Sequence, residues 1–354
     1  MTKKELRTTI CAPGKLLISG EYSVLEGYQG LSCATNRKFY CHTTPDKQLY
    51  VSNNFAEHVT ININKNQVKI FGSKTQQFYL VKLVLQTALD YGLKIHPMNI
   101  ELDSRELLLK KPNNNTLLKI GLGSSSALVA ALSYQIVLNN IKQVKLQDVF
   151  SLAYQAHKQY TRGLGSGIDV ATAVFGGLIS FKPSIYNQLP KITPLMNNKI
   201  IQNIVCVYSG YPQRTQSFLN AIKKLKKKNY STYKSIINRL AIANKKLARK
   251  LALLNQEMNP EFIMAVKRCT NELRNLGKLA QINIISQPHA QIAKIAEFHN
   301  GIGKPSGAGG GDTTIAFLPL KNKQGFIDNI KKQGFFVVNL KLFSPGVKII
   351  KSTF

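Results

Sequence analysis

Acidic residues are scarce in this chain: 17 aspartates and glutamates stand against 48 lysines and arginines, a formal net charge of +31 over 354 residues. Three sources fit such a balance: a nucleic-acid partner, anionic small-molecule substrates, or a compositional drift towards lysine. Only nine of the 48 bases are arginine, the residue that grips base edges bidentately. No specific nucleic-acid partner is therefore expected, only weak nonspecific association. Long apolar runs are missing too. None approaches the ~20 residues of a membrane span, and the polar first nine residues lack the apolar core of a secretory signal. The five cysteines (Cys11, Cys33, Cys41, Cys206, Cys269) include no CxxC and are odd in number. They read as reduced thiols of a cytoplasmic protein, not as a zinc or disulfide framework. There is no internal repeat. There is also no GxxxxGK run ending in Ser or Thr, which excludes a P-loop, and no strand-anchored GxGxxG with a downstream acid, which weighs against a dinucleotide fold.

What is present is Gly121-Leu122-Gly123-Ser124-Ser125-Ser126, followed at once by an apolar run over 127–138. Small residues let backbone approach an anion, hydroxyls add donors, and a helix starting near Ser125 turns unpaired N–H groups and a partial positive charge towards it. A nucleotide phosphate tail needs these features. The alternative is ordinary structure, with the serines capping a helix. Two further stretches have similar punctuation: Pro13-Gly14-Lys15 with Gly20-Glu21-Tyr22, and Lys304 to Asp312 (KPSGAGGGD). The apolar strand pattern after the latter argues for an ordered loop over a flexible linker.

Strand patterns cover 8–12, 37–43, 48–52, 59–63 and 67–71, with Pro13-Gly14-Lys15 as a turn presenting a lysine. A helix is expected over 79–91, a strand over 98–102, a polar loop over 110–116 and two helices over 127–138 and 146–160. Gly165-Ser166-Gly167-Ile168-Asp169 reads as a tight turn into 170–174, then a strand over 178–181. The proline-bearing stretch 183–194 is the best linker, which divides the chain into domains 1–184 and 185–354. The second should hold a strand at 204–208, lysine-rich helices over 216–228, 230–255 and 261–276, the segment 289–299 leading to the second glycine loop, a strand at 313–318, and a closing helix and strand over 326–332 and 335–340.

The three motifs, in this order and at this spacing, resemble the superfamily of galactokinase, homoserine, mevalonate and phosphomevalonate kinases, over almost the whole chain. Within it the pattern is most similar to phosphomevalonate kinases. Gly20-Glu21-Tyr22 has tyrosine where mevalonate kinases usually carry histidine. Ala156-His157, seven residues and then Gly165-Ser166-Gly167-Ile168-Asp169-Val170-Ala171 resembles their central signature. Asp312 stands where mevalonate kinases typically have a further glycine. The sequence departs from the pattern at 208–219, which matches only loosely a serine/threonine-rich stretch. His157 lies near the place where mevalonate kinases carry a magnesium-binding glutamate.

The resemblance implies a two-domain α+β fold: an N-terminal nucleotide-binding α/β domain, a C-terminal domain of helices on an antiparallel sheet, and a cleft between them with 110–116 as a candidate lid. It implies ATP and Mg²⁺, a monomer or homodimer, and phosphoryl transfer to a phosphorylated small molecule, phosphomevalonate first. Mevalonate or another acceptor of the superfamily is the runner-up, and a catalytically inactive nucleotide-binding regulator the reading from another class. Lys15 and Asp169 would be catalytic. Gly121, Gly123, Ser124, Ser125, Ser126, Gly307, Gly309 and Gly310 would hold the nucleotide, with Ser125 reaching the metal. Tyr22 and Ser166 would face the acceptor. Arg162, Arg214 and Lys304 are candidates, from charge and position, for clamping its phosphate and carboxylate. Ordinary roles compete here as well: Asp169 as a helix N-cap, Lys15 as a surface lysine, and His157 as a structural residue on a helix face.

Overall fold

The computed structural model describes residues 7–110, 117–184, 188–196, 201, 203–211, 215–253 and 258–352. In chain order, the first part runs β1 (Thr8–Ser19), β2 (Gly30–Pro45), β3 (Leu49–Asn53), β4 (His58–Asn64), β5 (Gln67–Phe71), α1 (Tyr79–Asp90), β6 (Met98–Asp103), β7 (Leu108–Lys110), β8 (Leu117–Lys119), α2 (Ser124–Asn140), α3 (Leu146–Tyr160), α4 (Ile168–Phe175), β9 (Leu178–Lys182) and β10 (Lys191–Leu195). It continues through β11 (Ile204–Tyr208), α5 (Thr215–Lys228), α6 (Tyr230–Leu253), α7 (Pro260–Ala280), α8 (Gln287–Phe298), β12 (Ile302–Pro305), β13 (Thr313–Phe317), α9 (Lys323–Lys332), β14 (Phe336–Val338) and β15 (Lys348–Ser352).

Nine strands form one mixed sheet in the order β10-β9-β2-β6-β3-β4-β5, with β1 added against β2 and β15 against β1. Its one parallel pair is β3 with β6. A second, antiparallel sheet has the order β12-β13-β11-β14. The α+β class, with a mixed sheet and a separate antiparallel sheet, thus agrees with the fold that the resemblance implies. The boundary at 184/185 does not follow the sheets. Lys191–Leu195, expected in a linker, pairs with β9, and the last described strand returns to β1. We propose a division in which the first unit also takes these two strands.

The apolar run after the serines becomes α2, which is buried nearly all round through Ala127, Val129, Ala130, Ala131, Leu132, Ile136 and Val137. A helix apolar on every side belongs inside a layer, not on its surface. The alanines let it lie close to β1, α3 and α4. β1 is also buried almost throughout, so the stretch expected to turn at Pro13 stays in the sheet. The interruption survives as a register shift between Pro13 and Lys15. At Gly14 a Cβ would lie 2.7 Å from Leu107 and 3.0 Å from the Leu122 carbonyl. The glycine is therefore what lets β1 pass beneath the Gly121–Ser126 turn. All five cysteines are buried and unpaired.

Candidate active site

Gly123, at φ 78°, occupies the N-cap of α2, and no side chain caps the helix. The serines are therefore the first three residues inside the helix, not its caps. The first turn's N–H groups have no intrahelical acceptors, and a 17-residue helix stands behind them. Ser124 and Ser125 are half-buried. Ser126 turns inward: its Oγ is buried without a hydrogen-bond partner, so only its backbone remains to meet an anion.

Lys15 is fixed under this loop. Its backbone N–H donates to the Leu122 carbonyl at 2.9 Å. Its side chain fills the space where a Cβ on Gly123 would stand, 3.0 Å from Lys15 Cγ. Nζ lies 3.5 Å from Asp169 Oδ2. Asp169 is the second residue of α4, whose N-cap is Gly167 at φ 87°, so the carboxylate is not the cap. A side chain at Gly167 would collide with the Tyr154 ring at 2.2 Å, and this glycine is what brings the start of α4 close to α3. Ser166 Oγ accepts the Ile168 N–H at 3.3 Å, engaged in the turn itself.

His157, whose sequence setting suits a structural residue on a helix face, touches the site: its Nε2 lies 3.3 Å from Ser125 Oγ. Burial pushes its pKa down and the nearby Asp169 carboxylate opposes that. A neutral imidazole accepting the serine proton leaves the Oγ lone pairs for another partner. The sequence signal was present, since His157 sits among Val149, Leu152, Ala153 and Ala156 on the buried face of α3.

The third motif closes over the glycine–serine turn. Asp312 Cβ stands 3.0 Å from where a Cβ on Gly121 would be, and Thr313 Oγ1 donates to the Ile120 carbonyl at 2.6 Å. Within 306–312, Gly307 borders open space, while Gly309 and Gly310 form the buried underside. The Gly310 N–H donates to the Ile284 carbonyl at 2.9 Å. His289, missed in the sequence, braces this underside. Its Nδ1 accepts from the Ser286 N–H at 3.3 Å, and its Nε2 donates to the Gly311 carbonyl at 3.1 Å, the tautomer these partners assign. Burial lowers its pKa to about 4.

Two of the clamp candidates, Lys304 and Arg162, and the acceptor-facing Tyr22 need correction. Lys304 is fully buried, and its ammonium donates to Glu21, to the Ile18 carbonyl at 3.2 Å and to the Pro305 carbonyl at 2.8 Å. An ammonium has three protons, so none is left for a substrate. Tyr22 is 5% exposed and donates its hydroxyl to the Ala308 carbonyl at 2.5 Å. It faces protein, not an acceptor. Arg162 is exposed and lines a pocket with Ile70, Thr75, Gln76, Tyr79 and Lys82 that includes neither Lys15 nor Asp169. Arg214 and most of the candidate lid at 110–116 lie outside the described residues.

Among the described residues no three His, Cys, Asp or Glu side chains gather as a metal cage. The donor set suits a Mg²⁺ that arrives with a triphosphate, because Mg²⁺ keeps waters and phosphate oxygens as ligands and needs few from protein. The half-buried Ser125 hydroxyl, backed by His157, is the donor that fits. No described helix is long and apolar enough to cross a membrane.

Residues 79–177 match the family model of the GHMP kinases N terminal domain. Over 338 residues the chain is 26% identical to the phosphomevalonate kinase of Saccharolobus solfataricus, covering 94% of this chain and 96% of that one. It is 22% identical to the mevalonate kinase of Thermococcus onnurineus over 90% and 91% of the two chains. Among solved structures, the Lin0012 protein of Listeria innocua superposes with a TM-score of 0.84 at 22% identity, covering 98% of this chain and 99% of that one. Streptococcus pneumoniae phosphomevalonate kinase, solved with phosphomevalonate and AMPPNP, gives 0.74 at 16% identity over 95% and 99%. Residues 79–177 thus resemble a GHMP kinase N-terminal domain, and over nearly its whole length the chain shares the fold of these solved structures.

Proposed function

We propose that this chain transfers the γ-phosphoryl group of ATP to phosphomevalonate, yielding diphosphomevalonate and ADP. The observation that carries the reading is the Lys15–Asp169 pair, 3.5 Å apart beside the uncapped start of α2. A helix start supplies N–H donors to a phosphate tail, and a lysine next to it supplies a cation where negative charge builds up. The 26% identical relative named phosphomevalonate kinase favours that acceptor, while the 22% identical mevalonate kinase keeps mevalonate as the second reading.

The chemistry asks little covalent work of the protein. A phosphate monoester has its second pKa near ~6 and is largely dianionic at neutral pH. Its oxygen is already a nucleophile, and the obstacle is repulsion between two polyanions. Lys15 offsets that repulsion and steers the attacking oxygen, while Asp169 holds the ammonium in place without having to remove a proton. The serine turn and the 306–312 loop hold the tail so that the γ-phosphorus faces Lys15. Ser125 would hold a Mg²⁺ that arrives with the nucleotide, and the ion would supply charge neutralisation on the phosphate tail. Mevalonate offers an alcohol of far higher pKa, for which Asp169 would have to accept a proton.

The test is ADP release with ATP·Mg²⁺ and, in turn, phosphomevalonate, mevalonate and galactose. Phosphomevalonate should give the largest kcat/KM. Faster turnover of mevalonate would replace this reading with the second, and no turnover with any acceptor would favour an inactive nucleotide-binding regulator.

A further inference from the structure

We propose that Glu21, Tyr22 and Lys304 form a strut that sets the 306–312 loop against the phosphate loop, making them positioning residues for the nucleotide. The inference rests on the nucleotide reading above.

The Glu21–Lys304 ion pair is fully buried and joins the end of β1 to β12, that is, the first sheet to the second. Such a pair is a poor source of stability, because the desolvation of two charges consumes most of their attraction. This one is not even fully satisfied, since Glu21 Oε2 is buried with no hydrogen-bond partner. What the pair does provide is register. It can form only when the Ile18 carbonyl, the Glu21 carboxylate and the Pro305 carbonyl converge on one ammonium.

Tyr22 extends the tie into the loop. It has φ 56°, a conformation rarely adopted by a residue with a ring, and that turn brings its hydroxyl to the Ala308 carbonyl at the loop's centre. Its ring belongs to a buried apolar cluster that includes Phe218, Ile222, Tyr233 and Ile284. Ser306 Oγ adds a bond to the Leu17 carbonyl at 2.9 Å, and Thr313 fastens the far end of the loop to Ile120. The loop and its flanks are therefore tied to residues 17–22 through Lys304, Ser306 and Ala308 and to Ile120 through Thr313, while Ile284 and His289 hold Gly310 and Gly311 from below. Its glycine backbone has little stiffness of its own, so these ties fix where its N–H groups point.

Two variants separate positioning from mere stability. Tyr22→Phe removes one hydroxyl and keeps the ring. Glu21→Leu combined with Lys304→Met removes both charges together, a replacement that is commonly neutral or stabilising. Amide hydrogen exchange at 307–311 in nucleotide-free protein and ATP·Mg²⁺ affinity by calorimetry are measured for each, with the melting temperature as control. Both variants should melt near the wild type, exchange these amides about tenfold faster and bind ATP about tenfold more weakly, the worth of one net hydrogen bond. A folded variant of either kind with wild-type exchange and wild-type ATP affinity overturns the strut. If the double variant does not fold, Tyr22→Phe alone decides. A wild type that binds no ATP·Mg²⁺ refutes the nucleotide reading instead, and the exchange rates then judge the strut by themselves.

Discussion

Replacing Lys15 by methionine keeps the length of a side chain packed under Gly123 and deletes only its charge. The size of the effect follows from its surroundings. Lys15 is 10% exposed and Asp169 34%, with 3.5 Å between the charged atoms. At an effective dielectric of ~20 that separation corresponds to about 5 kcal/mol, whereas in an exposed pair it would be worth under ~1 kcal/mol. The pair lies between these limits, and so does the interaction of the ammonium with a phosphoryl group arriving at similar range. Deleting one preorganised donor at a developing charge typically costs ~10²–10³ in kcat. Lys15→Met should therefore lower kcat by roughly three orders of magnitude, with a smaller change in KM for ATP. Asp169→Asn keeps a polar neighbour for the ammonium and should cost about tenfold, since a dianionic acceptor needs no base. The assay is coupled ADP release at saturating phosphomevalonate. If Asp169→Asn abolished turnover while Lys15→Met left it intact, these roles would be wrong.

Gly123→Ala would put a Cβ 3.0 Å from Lys15 Cγ at a φ that disfavours it; kcat should fall ~100-fold while the melting temperature drops by only a few degrees, read by the same assay and by calorimetry. Lys304→Met alone strands a buried carboxylate and should cost about 3–5 kcal/mol of stability in a urea titration. Burial pushes the Glu21 carboxyl up and Lys304 opposes it, so in this variant the folded state holds its proton more tightly and the lost stability should return as pH falls. His289 has the opposite sign. Its folded pKa of about 4 lies below the ordinary 6.5, so stability present above pH 6.5 should be lost as pH falls towards 4. That amounts to roughly 3 kcal/mol, and His289→Asn should flatten this part of the melting profile.

The helix start after Gly123 and the two sheets are legible because their signals are local. Glycines beside serines before an apolar run specify a helix start, and the strand patterns at 37–71 and 204–208 alternate or run apolar as buried strands do. What was missed depends on contacts between distant residues. Lys304 is one of many lysines in the sequence, and only the fold reveals that Glu21, 283 positions away, encloses it. Tyr22 carries a polar tip that suits a substrate as well as a carbonyl, and nothing near it in sequence selects between them. His289 and His157 are single histidines on helices, and each gains meaning from a backbone or serine supplied by another element. The strand at β10 was hidden by Pro194 in a stretch that reads as a linker, although an edge strand tolerates proline.

The most direct measurement of the central claim is a crystal structure with a non-hydrolysable ATP analogue and Mg²⁺. The triphosphate should lie across the amides of 124–126, with its γ end within hydrogen-bonding reach of Lys15 Nζ and the metal at Ser125 Oγ. A triphosphate bound away from the start of α2, or one whose γ-phosphate faces neither Lys15 nor Ser125, would contradict the account.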